Sequence, residues 1–192
     1  VRLPSNLGEF NNGLIAYYPF NGNASDESGN DHNGTVHGST LTTDRYGAAS
    51  RAYNFDGVDD FIQSNIGQHS TITFSVWFKA PYPTAHYPRI LKYGELYKGF
   101  QFALDGNHPD HISDGTAGEF YLAKNVSSEV THRIKTTNNS LTDDIWHHAV
   151  GVVGKDANMT LYVDGNLIGT ENFSPDLFDN NGSLLMGWYL PD

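Results

Sequence analysis

The chain has 192 residues, with 11 Lys and Arg against 22 Asp and Glu, a formal net charge of −11 and no cysteine. That length predicts one domain with a sizeable core and no need of disulfides. The acidic field repels phosphate backbones and anionic lipid surfaces, which argues against nucleic acid as a partner, and no run of about 18 apolar residues is present for membrane insertion.

Residues 1–12, "VRLPSNLGEFNN", are polar and irregular and read as a leading arm or linker, with the domain proper over 13–192. From Tyr18 to Gly38 the chain reads "YPFNGNASDESGNDHNGTVHG", dense in Asp, Asn, Ser and Gly and closing on an apparent strand, Thr35-Val36-His37. Such a run builds turns, cages a hard cation or forms a sugar-binding rim. A second oxygen-rich cluster follows in "FDGVDD", with Asp56, Asp59 and Asp60. In "STITFSVWFKA", Ile72, Phe74, Val76 and Phe78 alternate with Thr73, Ser75, Trp77 and Lys79, the period-two pattern of a half-buried strand.

"KAPYPTAHYPRI" holds Pro81, Pro83 and Pro88 and reads as a loop rather than a central strand. Around it and the following "KYGELYKG" turn gather Tyr82, Tyr87, Tyr93 and Tyr97, with Arg89, Lys92 and Glu95 among them. These rings either cover loop bases or offer flat faces to sugars with charged groups beside them for hydroxyls. "KGFQFALDG" sets Phe100, Phe102 and Leu104 on one face. "DGNHPDHISDG", with His108 and His111, describes a solvated loop tip better than a transition-metal site. "WHHAVGVVG" places Trp146, His148, Val150 and Val152 on the face expected to be buried, and one of His147 and His148 is expected to pack inward with its nitrogens hydrogen-bonded. "NMTLYVDGNLIGT" is a strand that turns at Asp164-Gly165, a hairpin signal, and "GSLLMGWYL" is a further strand. No segment shows capped helical periodicity, so the fold expected is an all-β sandwich.

The segments "GLIAYYPFNGNASDESGNDHNGTVHG", "AYNFDGVDDFIQ", "TITFSVWFKA" and "DDIWHHAVGVVGKDANMTLYVDGNLIGT" follow one another in the order of a known family. The chain resembles the bacterial laminin-G-like, concanavalin A-like jelly-roll domains from about residue 13 to residue 190. The pair "FDGVDDFI" and "WHHAV…LYVDG" is the most specific part. The resemblance implies two antiparallel sheets and a calcium ion near the edge of the sandwich, with Asp26 and Asp60 as side-chain ligands and Asn30, His32 and Gly57 contributing carbonyls. Relatives continue with a last strand of the "IDDVRIYN" type, which does not follow "GWYLPD" here.

A retaining glycosidase needs two carboxyl groups about 5–5.5 Å apart. The Glu-x-Asp-x-Glu run of laminarinase-like enzymes is absent, and Glu95, Glu119, Glu129 and Glu171 stand alone. The function expected is therefore non-catalytic binding. It would be that of a calcium-stabilised module of a larger secreted or surface protein that recognises a polysaccharide through Tyr82, Tyr87, Arg89, Tyr93, Glu95 and Tyr97. An adhesion or spacer domain that contacts protein is the alternative, and a glycan-active hydrolase or lyase comes last.

Overall fold

The computed structural model describes residues 12–81, 88–94, 99–104, 119–125, 131–137, 141–154, 156–173 and 181–187, and every regular element among them is a strand. In chain order these are β1 (Thr35–His37), β2 (Thr40–Thr42), β3 (Ala52–Asn54), β4 (Phe61–Asn65), β5 (Ile72–Lys79), β6 (Arg89–Tyr93) and β7 (Gly99–Leu104). They continue with β8 (Phe120–Asn125), β9 (Thr131–Lys135), β10 (Trp146–Gly154), β11 (Asn158–Val163), β12 (Asn166–Asn172) and β13 (Ser183–Met186). A seven-stranded sheet runs β1-β4-β13-β6-β7-β8-β9, a four-stranded sheet runs β12-β11-β10-β5, and β2 pairs with β3 alone. Every pairing is antiparallel. The expected jelly-roll sandwich is the observed fold.

The core lies between the two larger sheets. Ile72, Phe74 and Phe78 of β5 are buried while Thr73, Ser75, Trp77 and Lys79 are exposed, as the alternation predicts. Phe78 stacks on Phe120 across the sandwich, with centroids 4.9 Å apart, and Phe74 meets Phe102 edge-on at 6.4 Å. The β11–β12 hairpin closes on Asp164 (φ 49°) and Gly165 (φ 80°), the pair of positive φ angles that a two-residue turn matching strand twist requires.

Two expectations are corrected. In β10 the buried residues are His147, Ala149, Gly151 and Val153, so Trp146, His148, Val150 and Val152 form the outer, half-buried face. The reason is steric. Phe102 reaches across from the opposite sheet so far that a Cβ added at Gly151 would lie 2.6 Å from its Cζ. The small residues must therefore face inward, and Trp146 is half-buried on the outer face rather than largely buried between the sheets as expected. The second correction concerns "YPRI". Arg89 and Ile90 open β6, which lies in the middle of the seven-stranded sheet between β13 and β7. Pro88 sits just before the strand, where its missing N–H costs no ladder bond.

Candidate binding site

The turn between β2 and β3 is built by Asp44. Its Oδ1 accepts hydrogen bonds from the N–H groups of Tyr46 and Ala48, both at 2.9 Å, and its own N–H donates to the Ala48 carbonyl at 3.0 Å. Burial pushes this carboxyl up, but the bonds from Ala48 and Tyr46, with Arg45 and Arg51 nearby, outweigh it and hold the group below the usual range. A side chain that caps its own turn in this way fixes the loop without long-range contacts. What the turn holds is Arg45 and Tyr46.

The Arg45 guanidinium lies 4.4 Å from the ring centroid of Tyr46 and 4.4 Å from that of Trp77, and its Nη2 donates to the Tyr46 hydroxyl at 2.9 Å. Trp77 is directly paired with His148 across β5 and β10, and the two rings stack at 4.8 Å with 14° between their planes. His148 Nε2 shares a hydrogen bond of 2.9 Å with Ser75 Oγ. Burial, against the pull of Asp164 but helped by Arg45, holds the His148 imidazole below its usual range, so it is uncharged at neutral pH. The result is a ladder of His148, Trp77, Arg45 and Tyr46 standing off the outer face of the smaller sheet. Tyr46 remains 61% exposed and Trp77 43%. Rigid aromatic area beside a fixed guanidinium and a hydroxyl is suited to stacking on the C–H face of a sugar while donating to its oxygens.

The residues singled out in the sequence fall elsewhere. Tyr82, Tyr87, Glu95 and Tyr97 lie outside the described residues, as do His108 and His111. Tyr93 is fully buried, a correction to its expected place on a ligand surface. Its hydroxyl donates to the Gly67 carbonyl and accepts from the His69 N–H, both at 2.8 Å, and its ring packs against Phe74. Arg89 is half-buried and donates from Nε to Gln101 Oε1 at 2.9 Å. Lys92, read from the sequence as a neighbour for sugar hydroxyls, is buried, with Nζ donating to the Gly94 carbonyl.

The expected calcium ligands divide into two groups. The Asp26 carboxylate accepts four hydrogen bonds, from the N–H groups of Tyr17, Ser28 and His32 and from the Ser28 hydroxyl, at 2.8 to 3.1 Å. These account for its lone-pair sites, so it acts as the hub of its loop and does not fit the role of a metal ligand. Asn30 donates through Nδ2 to the Leu14 and Ile15 carbonyls, and the His32 carbonyl accepts from the Tyr18 and Ser64 hydroxyls. Asp60 belongs to a different arrangement. Its carboxylate comes within 4.8 Å of those of Asp56 and Asp59, around the turn that Gly57 makes at φ 76°. The Asp59 carboxylate accepts no hydrogen bond among the described residues.

His147 is the histidine that packs inward. Only 6% exposed, it meets Asp164 Oδ2 through Nδ1 at 2.7 Å and Asp143 Oδ1 through Nε2 at 3.1 Å. Carboxylates only accept, so both bonds are made only when the ring carries two protons. Burial pulls its pKa down, yet the bonds to Asp164 and Asp143 outweigh this and leave it raised.

In comparison with known proteins, the sequence model described as the concanavalin A-like lectin/glucanases superfamily matches residues 54–189. No curated protein matches the chain. Among solved structures, the binding domain of Paraclostridial Mosquitocidal Protein 1 superposes with a TM-score of 0.71 at 18% identity, over 92% of this chain and 44% of that one. The binding domain of botulinum neurotoxin DC, solved in complex with rat synaptotagmin II, gives 0.70 at 12% identity over 92% and 44%. A botulinum neurotoxin type C structure, described as dependent for cell entry on two ganglioside molecules, gives 0.70 at 12% identity over 97% and 45%. The chain spans less than half the length of these structures, and at such identities the likeness is one of fold.

Proposed function

The chain belongs to the concanavalin A-like lectin/glucanase superfamily, and on that premise we propose that it is a non-catalytic module of a larger secreted or surface protein, binding carbohydrate through Tyr46, Arg45 and Trp77. The single observation that carries this reading is the ladder itself. Two aromatic side chains are held in place by a self-capped turn and a cross-strand stack, yet left facing solvent. Preorganised rings lose little entropy when a ligand arrives. Structural neighbours that are binding domains, one tied to gangliosides and one to a protein, are in keeping with a binding role. Of the four glutamates that stand alone in the sequence, the two among the described residues are engaged, Glu119 in an ion pair with Lys135 at 2.9 Å and Glu171 in a hydrogen bond with His132 at 3.3 Å, which is in keeping with a non-catalytic role.

A glycan array probed with the chain and with Tyr46→Ala tests the reading. Binding to one polysaccharide class, lost in the variant at unchanged melting temperature, is the expected result. An array with no hits would move the reading to its alternative, an adhesion or spacer domain that contacts protein.

For calcium, the reading narrows to Asp60 with Asp56 and Asp59. A hard cation is served by carboxylate oxygens in an irregular loop, and it relieves their mutual repulsion. Excess calcium should raise the melting temperature relative to EDTA, and Asp59→Asn should remove that difference. A melting curve indifferent to both additions would retire the ion from the account.

A further inference from the structure

A pocket of about 370 Å³ opens on the outer face of the seven-stranded sheet, close to its β1 edge. β4 turns Ile62 and Ser64 inward and leaves Gln63 and Asn65 exposed. Thr35 pairs with Gln63 and Ser183 with Asn65, so these four side chains share that outer face. Asn33, Ser64 and Asn181 complete the described lining. The volume is at the low end of the usual range for small ligands, about 300–1,000 Å³. The walls are not of the usual kind. Such sites are mostly apolar with a few polar groups among them. Here every described lining residue is an uncharged Asn, Gln, Ser or Thr.

The three asparagines are held in the same way. Asn33 Oδ1 accepts from the Asp26 N–H at 2.9 Å, Asn65 Oδ1 from the Gly67 N–H at 3.0 Å and Asn181 Oδ1 from the Ser183 N–H at 3.1 Å. A carboxamide whose oxygen is engaged by a backbone N–H has its two ends fixed. In each case the nitrogen, with two protons to give, meets no acceptor among the described residues. The frame around them is tied down. Gly34 gives its N–H to the Ala24 carbonyl at 2.8 Å, and Ser64 Oγ donates to the His32 carbonyl at 2.8 Å while accepting from the Tyr18 hydroxyl at 2.9 Å. Gly182 lies so close to Asn65 that a Cβ added there would stand 2.8 Å from Asn65 Oδ1. Donors fixed in this way lose little entropy when a ligand's oxygens replace water on them.

The chemistry of the walls selects the ligand. Amide donors call for oxygen acceptors, while the Gln63 carboxamide and the Thr35 and Ser183 hydroxyls can accept in return. The ligand therefore carries groups that both give and take hydrogen bonds on all sides, as sugar hydroxyls do. An anion finds no Lys or Arg in the described lining and meets the field of a chain with net charge −11. The side chains of a peptide find no apolar wall. We propose that this pocket is a second carbohydrate site, taking one neutral sugar ring whose oxygens accept from the Asn33, Asn65 and Asn181 amide nitrogens and whose hydroxyl protons go to Gln63, Thr35 and Ser183. It goes beyond the aromatic platform, since it shares no residue with Tyr46, Arg45 and Trp77 and works by hydrogen bonds without stacking. Each of these bonds replaces one to water, so a single ring binds in the millimolar range. Its use is as a second hold on a polysaccharide, because linked weak sites raise avidity.

The test is a titration of the isotope-labelled chain with the methyl glycosides of glucose, galactose, mannose and N-acetylglucosamine, and with that of glucuronic acid as the charged probe, read at the side-chain amide signals. At least one neutral glycoside should shift the Asn33, Asn65 and Asn181 signals together and saturably. Asn65→Asp and Asn181→Asp keep the oxygen that serves the Gly67 or Ser183 N–H, so the turn and the melting temperature hold. Both variants lose the amide donor, and each should weaken that binding at least about tenfold. Tyr46→Ala should leave it unchanged. No saturable shift with any of the neutral glycosides, tighter binding of the glucuronide, or full affinity in both Asp variants would each overturn the proposal. A response lost in Tyr46→Ala would overturn it as well, by moving the binding to the aromatic platform, so failure of this site and failure of the platform are told apart.

Discussion

Replacing Asp164 by Asn tests the buried histidine bridge at the end of the smaller sheet. Asparagine tolerates the left-handed turn position and still offers an oxygen to the His148 N–H, which Asp164 Oδ1 accepts at 2.8 Å. What is lost is the negative charge 2.7 Å from His147 Nδ1. A hydrogen bond to a charged group contributes about 1.5–3 kcal/mol. The Asp164 side chain is 42% exposed, so solvent screening reduces this, and about 1 kcal/mol is the expected loss. The sign with pH is fixed by the direction of the shift. The folded His147 pKa is raised, so the bridge contributes fully below the unfolded value of about 6.5 and fades as pH rises through the folded one. On the acid side, burial pushes Asp164 up, but its bonds to His148 and His147 hold it lowered, so its contribution is lost only as pH falls through that lowered value. Urea denaturation at pH 5.5 and 8.5 gives the measurement. With a slope of about 1–3 kcal/mol/M, the midpoint gap at pH 5.5 should be roughly 0.3–1 M, and it should shrink at pH 8.5. An equal gap at both pH values would refute the imidazolium bridge.

Tyr93→Phe should cost about 1–3 kcal/mol, because the Gly67 carbonyl and the His69 N–H lose their shared partner in a buried site, and the urea midpoint checks it. Gly151→Ala should destabilise by about 1–3 kcal/mol, although alanine is normally the better strand residue, because its Cβ would press on Phe102; a more stable variant by calorimetry would contradict the packing described. Asp26→Ala should cost about 1–3 kcal/mol by leaving the Tyr17, Ser28 and His32 donors unserved, and its calcium response in thermal melts should equal that of the parent.

The sandwich was readable from alternation and turn chemistry, as β5 and the Asp164-Gly165 hairpin show. The buried face of β10 was not. "WHHAVGVVG" alternates in both registers, and bulk favours Trp146 and Val150 for the core. Which register faces in is decided by Phe102, a residue of another strand and another sheet. Tyr93 misled for a related reason. Its polar neighbours in sequence suggested a surface, while its actual neighbours, Phe74, Gly67 and His69, come from elsewhere in the chain. The ladder did leave a mark in the sequence, since alternation already placed Trp77 on the face opposite the core. An outward tryptophan beside Ser75 and Lys79 was the cue, but nothing local connects it to Arg45, 32 residues earlier.

The central claim, that Tyr46, Arg45 and Trp77 form a carbohydrate platform, is tested most directly by chemical-shift mapping on the isotope-labelled chain titrated with the strongest hit from the glycan array. The account predicts saturable shifts at the Tyr46 and Arg45 amides and the Trp77 indole N–H, and little change at core residues such as Phe102. Shifts confined to the 82–97 region, with the Trp77 indole unmoved at saturation, would contradict it.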